Sequence, residues 1–330
     1  MSSPATSTKT LGQQGSVDKG KFLTPTLSSP RTLALLRSRS DYIEPTSPTS
    51  AETRVPLSSL PGIQNFASRS LMGLLKAFAQ AHRSPRISMW SGRVGSPVTI
   101  TNGISAGWAI EGAVGSSQKI DATYLSPHVN GAARMMSACG QFGVSLIMHK
   151  SFAELLPNEA KQGRVRLIDR VVVKGESEPA ELYAYDARYE GVPFFMNAKS
   201  SKVADLESRN LDGIWTRDKD LLSMTRHIEP EFLEAWERGF NSYQAGRFGK
   251  AIKELKAANA LMRKSHYDMG FDESGIREIM KQRESGDNWD DGPCQALILF
   301  MEDYLVGSEV EVDDEGIVVG WAGKRAITKR

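Results

Sequence analysis

Residues 119–135 read K-I-D-A-T-Y-L-S-P-H-V-N-G-A-A-R-M, and this stretch decides the fold. Its first part, 119–125, reads as a strand. Pro127 then opens a helix, since its missing N–H would be unpaired in a first turn anyway. Val129, Ala132, Ala133 and Met136 recur with helical spacing and form the expected apolar face. Asn130 and Arg134 are four residues apart, so they project together beside that face. An amide next to a guanidinium suits a ligand with a ribose oxygen and a phosphate, the first group orienting and the second neutralising. Asp121 lies on the preceding strand, where a carboxylate accepts from an exocyclic amine such as that of adenine. Residue by residue, an exposed polar surface explains the same pattern.

Outward from this stretch, strands and helices alternate from about 99 to 186. A strand is expected over 103–115, a short buried one over 144–148, and a short helix from Ser151. Segments 164–174 and 180–185 read as an antiparallel hairpin about G-E-S-E-P (175–179), with Lys174 placed at a strand end to reach phosphate oxygens. Upstream, Leu71, Leu74, Leu75 and Phe78 recur at i, i+3, i+4 and i+7, which predicts a helix over roughly 65–82. The class is α+β. Downstream, a mostly polar connection leads to a helical hairpin with Leu233, Trp236, Phe240 and Tyr243 on one arm. Ala251, Ile252, Leu255 and Ala258 line the other. Its run G-F-N-S-Y-Q-A-G-R-F-G-K-A-I (239–252) resembles a single tetratricopeptide (TPR) unit, which cannot bury its own face and must pack on a neighbour. Asp291-Gly-Pro opens a last helix. Asp287, Asp290 and Asp291 are expected to cap that helix and stay solvated rather than to bind metal.

Composition removes several classes. Of 330 residues 40% are hydrophobic, and 41 Lys and Arg against 39 Asp and Glu leave +2, so no global field draws the chain to nucleic acid. Cys139 and Cys294 make no disulfide framework and suit a reducing compartment. No apolar run approaches the ~18 residues of a membrane helix. Residues 1–61 hold 7 of the 15 prolines and 21 Ser or Thr, a composition expected to be disordered. Four Ser/Thr-Pro pairs there follow from composition as readily as from phosphorylation. P-loop, H-E-x-x-H and C-x-x-C signatures are missing.

The stretch I-S-A-G-W-A-I-E-G-A-V-G-S, the run quoted above, and V-V-V-K-G-E-S-E-P-A-E-L-Y occur in the order of a class III nucleotide cyclase catalytic domain, which they resemble in its protist and algal form. The resemblance implies a partial ferredoxin-like domain over 64–187, preceded by the 1–61 tail. A linker at 188–229 and a helical region at 230–330 would follow. It implies conversion of a nucleoside triphosphate to a 3′,5′-cyclic nucleotide and pyrophosphate. Asn130 would orient the ribose, Arg134 would stabilise the pentavalent phosphorus, Asp121 would read the base and Lys174 would hold the outer phosphates. An Asp at 121 favours ATP over GTP. The family's F-x-D-I-x-x-F-T strand and G-D hairpin, whose two carboxylates hold Mg²⁺ or Mn²⁺, have no counterpart here. The resemblance therefore implies a chain inactive alone and competent in a homo- or heterodimer with a metal-binding partner. The alternatives are a non-catalytic nucleotide-binding or dimerisation module and a fragment of a larger cyclase. A cytoplasmic location is expected, with membrane association through a partner.

Overall fold

In a computed structural model describing residues 56–83, 100–115, 119–172, 179–189, 213–270, 290–307 and 310–326, the predicted first helix is α1 (Ile63–Arg83). Its Leu71, Leu75 and Phe78 are fully buried, as their spacing requires. Leu57, in a 3₁₀ turn at Leu57–Ser59, packs against the same cluster; the rest of the tail up to residue 55, with its Ser/Thr-Pro pairs, lies outside the described residues.

The expected strand over 103–115 is two strands, β1 (Asn102–Ile104) and β2 (Ile110–Gly115), which belong to different sheets. β2 pairs antiparallel with β3 (Ile120–Leu125) in a separate two-stranded ribbon. Helix α2 (Pro127–Phe142) follows at once and ends at Gly143 in the left-handed conformation. Next come β4 (Leu146–His149), the single turns α3 (Lys150–Ala153) and α4 (Asn158–Lys161), β5 (Val165–Val172) and β6 (Ala180–Tyr185). The expected hairpin is therefore present as β5 and β6, while its connection, including Lys174, lies outside the described residues. Short helices α5 (Ile214–Arg217) and α6 (Lys219–Thr225) come next. They lie within the segment expected to be a polar linker, yet Trp215, Leu221 and Met224 are buried. The hairpin of α7 (Pro230–Gln244) and α8 (Phe248–Gly270), then α9 (Gly292–Val306) and a two-residue β7 (Arg325–Ala326), complete the order.

The main sheet runs β1-β4-β6-β5-β7, with β1/β4 and β5/β7 parallel and the two inner pairings antiparallel. Its period-two alternation feeds two cores. On β4, Leu146 and Met148 face α1, while Ile147 faces the opposite layer of α2 and α7–α9. On β6, Leu182 and Ala184 face that layer too, with Tyr183 and Tyr185 on the α1 side. Helices thus cover both faces of a mixed sheet, an α+β arrangement. The helical hairpin finds its required neighbour in the sheet.

A bulge on β5 between Leu167 and Asp169 makes Ile168 and Asp169 consecutive buried residues. Two long-range ion pairs of Arg166 exploit this strand. Buried Arg166 donates to Asp186 at 2.9 Å through both Nε and Nη2, and to Asp291 at 2.6 and 3.1 Å. Its guanidinium carbon lies 4.3 Å from the Trp236 ring centroid and 4.9 Å from that of Phe232. Asp291 does cap α9, accepting from the Cys294 N–H, but it is buried rather than solvated. Asp290 is mostly covered as well, bonded to Asn259 and Arg263, while Asp287 lies outside the described residues. The expectation of a solvated cap overlooked an arginine 125 residues away that neutralises it.

Candidate nucleotide site

The site is built from the ribbon of β2 and β3 and the helix that leaves it. Ser126 caps α2 by accepting from the His128 N–H at 3.0 Å and donates to the Trp108 carbonyl at 2.5 Å. The loop before β2 is therefore bonded to the first turn of α2. At Gly107 a Cβ would stand 1.9 Å from the His128 ring, so only glycine allows this approach without displacing the ring. Trp108 and His128 meet edge to face, with centroids 6.3 Å apart. The other end of the loop is anchored on β4 and α3: the Ala106 N–H donates to Ser151 Oγ at 3.1 Å, and Ser151 Oγ lies 2.9 Å from His149 Nδ1.

One turn along, α2 lies directly on β1. A Cβ at Gly103 would stand 2.0 Å from the Ala132 carbonyl oxygen and 2.5 Å from the Met136 nitrogen. Backbone cannot yield as a side chain can, so Gly103 fixes the height of α2 over the sheet. The buried face of α2 is Gly131, Met135, Ala138, Cys139 and Phe142. This corrects the expected face: Val129 is 47% exposed and Met136 45% exposed. Both sets have helical spacing, and close contact with β1 selects the one containing glycine.

With that rotation fixed, Asn130 and Arg134 stand one turn apart on the exposed side of α2. Asp121 sits on β3, and its backbone pairs with Val114 of β2. Asp121, Asn130 and Arg134 therefore belong to one continuous ribbon-and-helix unit. Sequence reasoning did not single out Trp108, Ser126, His128 or Ser151, which hold this unit in place. A glycine-flanked tryptophan before a Ser-Pro helix start was the available signal.

Large apolar side chains surround the unit. Trp108, Ile110, Ile120, Tyr124 and Leu125 are each at least half exposed, next to Val129 on α2. Asn130 and Arg134 thus stand on an open, partly apolar surface. Among the described residues no three His, Cys, Asp or Glu side chains come together as a metal centre.

The ribbon and the capped helix belong to a mixed α/β protein, in which Asn130 and Arg134 stand exposed. Part of the chain is similar to known proteins. The chain is 32% identical over 102 residues to an adenylate cyclase of Anabaena cylindrica, covering 30% of this chain and 20% of that protein. It is 30% identical over 109 residues to the terminal-differentiation-specific adenylate cyclase of Dictyostelium discoideum, covering 33% of this chain and 5% of that protein. A region of about a hundred residues is thus cyclase-like, and the chain spans a fifth or less of the length of these relatives. No protein-family model matches. Among the described residues no helix is long and apolar enough to cross a membrane.

Proposed function

We propose that 64–187 is the nucleotide-facing part of a cyclase-type site, which converts a nucleoside triphosphate to its 3′,5′-cyclic form when a second chain completes it. The observation that carries this reading is the presentation of Asn130 and Arg134, one turn apart, on the exposed side of a helix leading directly from the strand of Asp121. In the reaction the substrate's 3′-hydroxyl loses its proton and its oxygen bonds to the α-phosphorus, while the bond to the pyrophosphate oxygen breaks. Arg134 opposes the negative charge that gathers on the phosphoryl oxygens, and Asn130 holds the ribose in line for attack. Asp121 accepts from the amine of adenine, favouring ATP over GTP, and Lys174 holds the outer phosphates.

The surface around the pair supports completion by a partner. A two-stranded ribbon alone is marginal in water, and this one exposes large apolar side chains. A homo- or heterodimer in which a metal-binding cyclase domain covers the ribbon would supply the metal-binding carboxylates. The exposed patch also favours a second reading, a non-catalytic dimerisation or nucleotide-binding module.

The deciding experiment measures cyclic AMP and cyclic GMP from this chain alone and mixed with a metal-competent cyclase chain whose own Asn–Arg pair has been disabled. Cyclic AMP formed only in the mixture, and lost with Arg134→Ala, is the expected result. A stable complex without product selects the module reading. Neither complex nor product removes both.

A further inference from the structure

Strand β5 has one paired edge and one open edge. On the paired side the Asp186 N–H donates to the Arg164 carbonyl at 2.7 Å, so these two residues, one step before Val165 and Tyr185, form a hydrogen-bonded pair of the β5–β6 ladder. Alternation then turns the backbone N–H and C=O of Val165 and Leu167 away from β6. Among the described residues, β7 meets the outer edge only at Val171 and Val172, and no strand pairs with 165–170 on that side.

Helix α7 runs beside this edge in the same sense. Arg166 lies over Trp236, Asp169 accepts from Tyr243, and Arg170 Nη1 donates to Gln244 Oε1 at 3.3 Å. Strand and helix border a groove of about 440 Å³, within the usual range of ligand sites. Leu167, Leu233, Trp236 and Phe240 give it an apolar wall, the two rings stacked with centroids 5.7 Å apart. Arg170 and Gln244 stand at one end. Arg170 shares Glu181 with Lys150, at 3.2 and 3.1 Å, so two cations answer one carboxylate and a positive charge is left over. Among the described residues the buried Gln244 Nε2 has no partner, and the bond from Arg170 to Oε1 fixes which way the amide faces. Arg166 also lines the groove, but it is spent on Asp186 and Asp291. Glu237 lies two turns before Gln244, about 10 Å away along the axis, and leaves the charge at that end unanswered.

We propose that this groove binds the extended C-terminal segment of a partner protein, added parallel to β5 as a further strand, with its terminal carboxylate on Arg170 and Gln244. An open edge pairs with main chain of any sequence, and so asks for an extended peptide. A parallel strand laid along 165–170 runs into Arg325 of β7 beside Val171, so it must end there and a continuing chain does not fit. What it meets at that point is a surplus cation and an unpaired amide donor, the complement of a carboxylate. An antiparallel strand would bring an ammonium group to the same cation. The apolar wall takes aliphatic or aromatic side chains from the bound segment. The groove shares no residue with the nucleotide site and stands independently of the cyclase reading.

The test selects random seven-residue peptides displayed with free C-termini on the whole chain, then titrates the selected peptide beside its amidated form. Amidation and Arg170→Gln should each weaken binding at least about tenfold, the effect of losing a charge-assisted hydrogen bond. The bound peptide should also slow amide exchange at Val165 and Leu167 at least about tenfold. If Arg170→Gln fails to fold, Leu233→Asp, which puts a charge in the apolar wall, should abolish binding. Failure to select any peptide overturns the proposal, as does equal binding of the amidated form. Binding that survives these substitutions, or that leaves exchange at Val165 and Leu167 unchanged, places the peptide elsewhere and also overturns it. N-acetyl-leucine competing as well as the whole peptide would make the groove a small-carboxylate site and not a strand acceptor.

Discussion

At Arg134 the chemistry and the fold separate cleanly, because the side chain is exposed and the core does not depend on it. Arg134→Ala should change unfolding free energy by no more than about 0.5 kcal/mol. If Arg134 acts as proposed, it should lower cyclic AMP formation in the mixed assay by about 100-fold or more, the usual effect of removing a transition-state donor. Urea melts beside the activity assay check both halves. Gly103 is the opposite case. Gly103→Ala drives a methyl into the backbone of α2, and a loss of roughly 1–3 kcal/mol in the same melts is expected. Cys139 gives a pH test. Burial pushes its thiol from an ordinary value of 9.0 to about 11, against backbone hydrogen bonds that pull it down. Between those values the unfolded chain has lost the proton and the folded chain keeps it, so this group's contribution to stability falls as pH rises from 9 towards 11. In the native protein near pH 8 iodoacetamide should label Cys139 far more slowly than in urea. Equal labelling in the two states would contradict its burial.

Among elements, β5 and α9 are joined by Arg166, and the balance of charge there decides what a mutation does. One arginine faces two carboxylates. Burial works against its charge, but Asp186 and Asp291 outweigh that and hold its pKa above the ordinary arginine range. Burial also works against Asp291, yet Arg166 and the Cys294 N–H keep its carboxyl below the ordinary range; for Asp186 burial wins and its pKa is raised. Arg166→Met leaves two buried acids facing each other and should cost about 3–5 kcal/mol, with part regained in Arg166→Met/Asp186→Asn. Denaturant midpoints of the two variants measure it, and similar midpoints would mean that Asp186 adds no strain once Arg166 is gone. Such pairs mark the limit of what sequence conveys. The helices at Leu71–Leu75–Phe78 and Trp236–Phe240–Tyr243, and the β5–β6 hairpin, were legible because periodicity is local. The rotation of α2 was not, since Val129–Met136 and Met135–Phe142 are equally helical and only Gly103, in another element, chooses between them. Nor was the partnership of Asp291 with Arg166, or of Asp169 with Arg325 across 156 residues. The Asn130–Arg134 spacing was readable, but the loop that anchors their helix through Ser126 and Gly107 depends on contacts that spacing does not encode.

For the molecule as a whole the open question is what covers the β2–β3 ribbon. Ile120 is 69% exposed and Tyr124 58% on one ribbon face, and Leu125 is 50% exposed on the other, so apolar surface lies open on both faces. Ile110 stands opposite Leu125 in the ribbon register, so one ribbon face carries both near its α2 end. A partner resting there would also close over Asn130 and Arg134, excluding water from the pair proposed to act on a phosphate and strengthening its field. Association and site completion should therefore fail together. Leu125→Asp places a charge on the exposed ribbon without touching Asn130, Arg134 or the buried face of α2, so the fold should survive with an unchanged circular dichroism spectrum. Sedimentation should show loss of the complex with the metal-competent chain, and cyclic AMP formation should fall in proportion to the complex lost. An intact complex in Leu125→Asp would move the partner elsewhere on the surface. Lost complex with retained product would break the link between covering the ribbon and building the site.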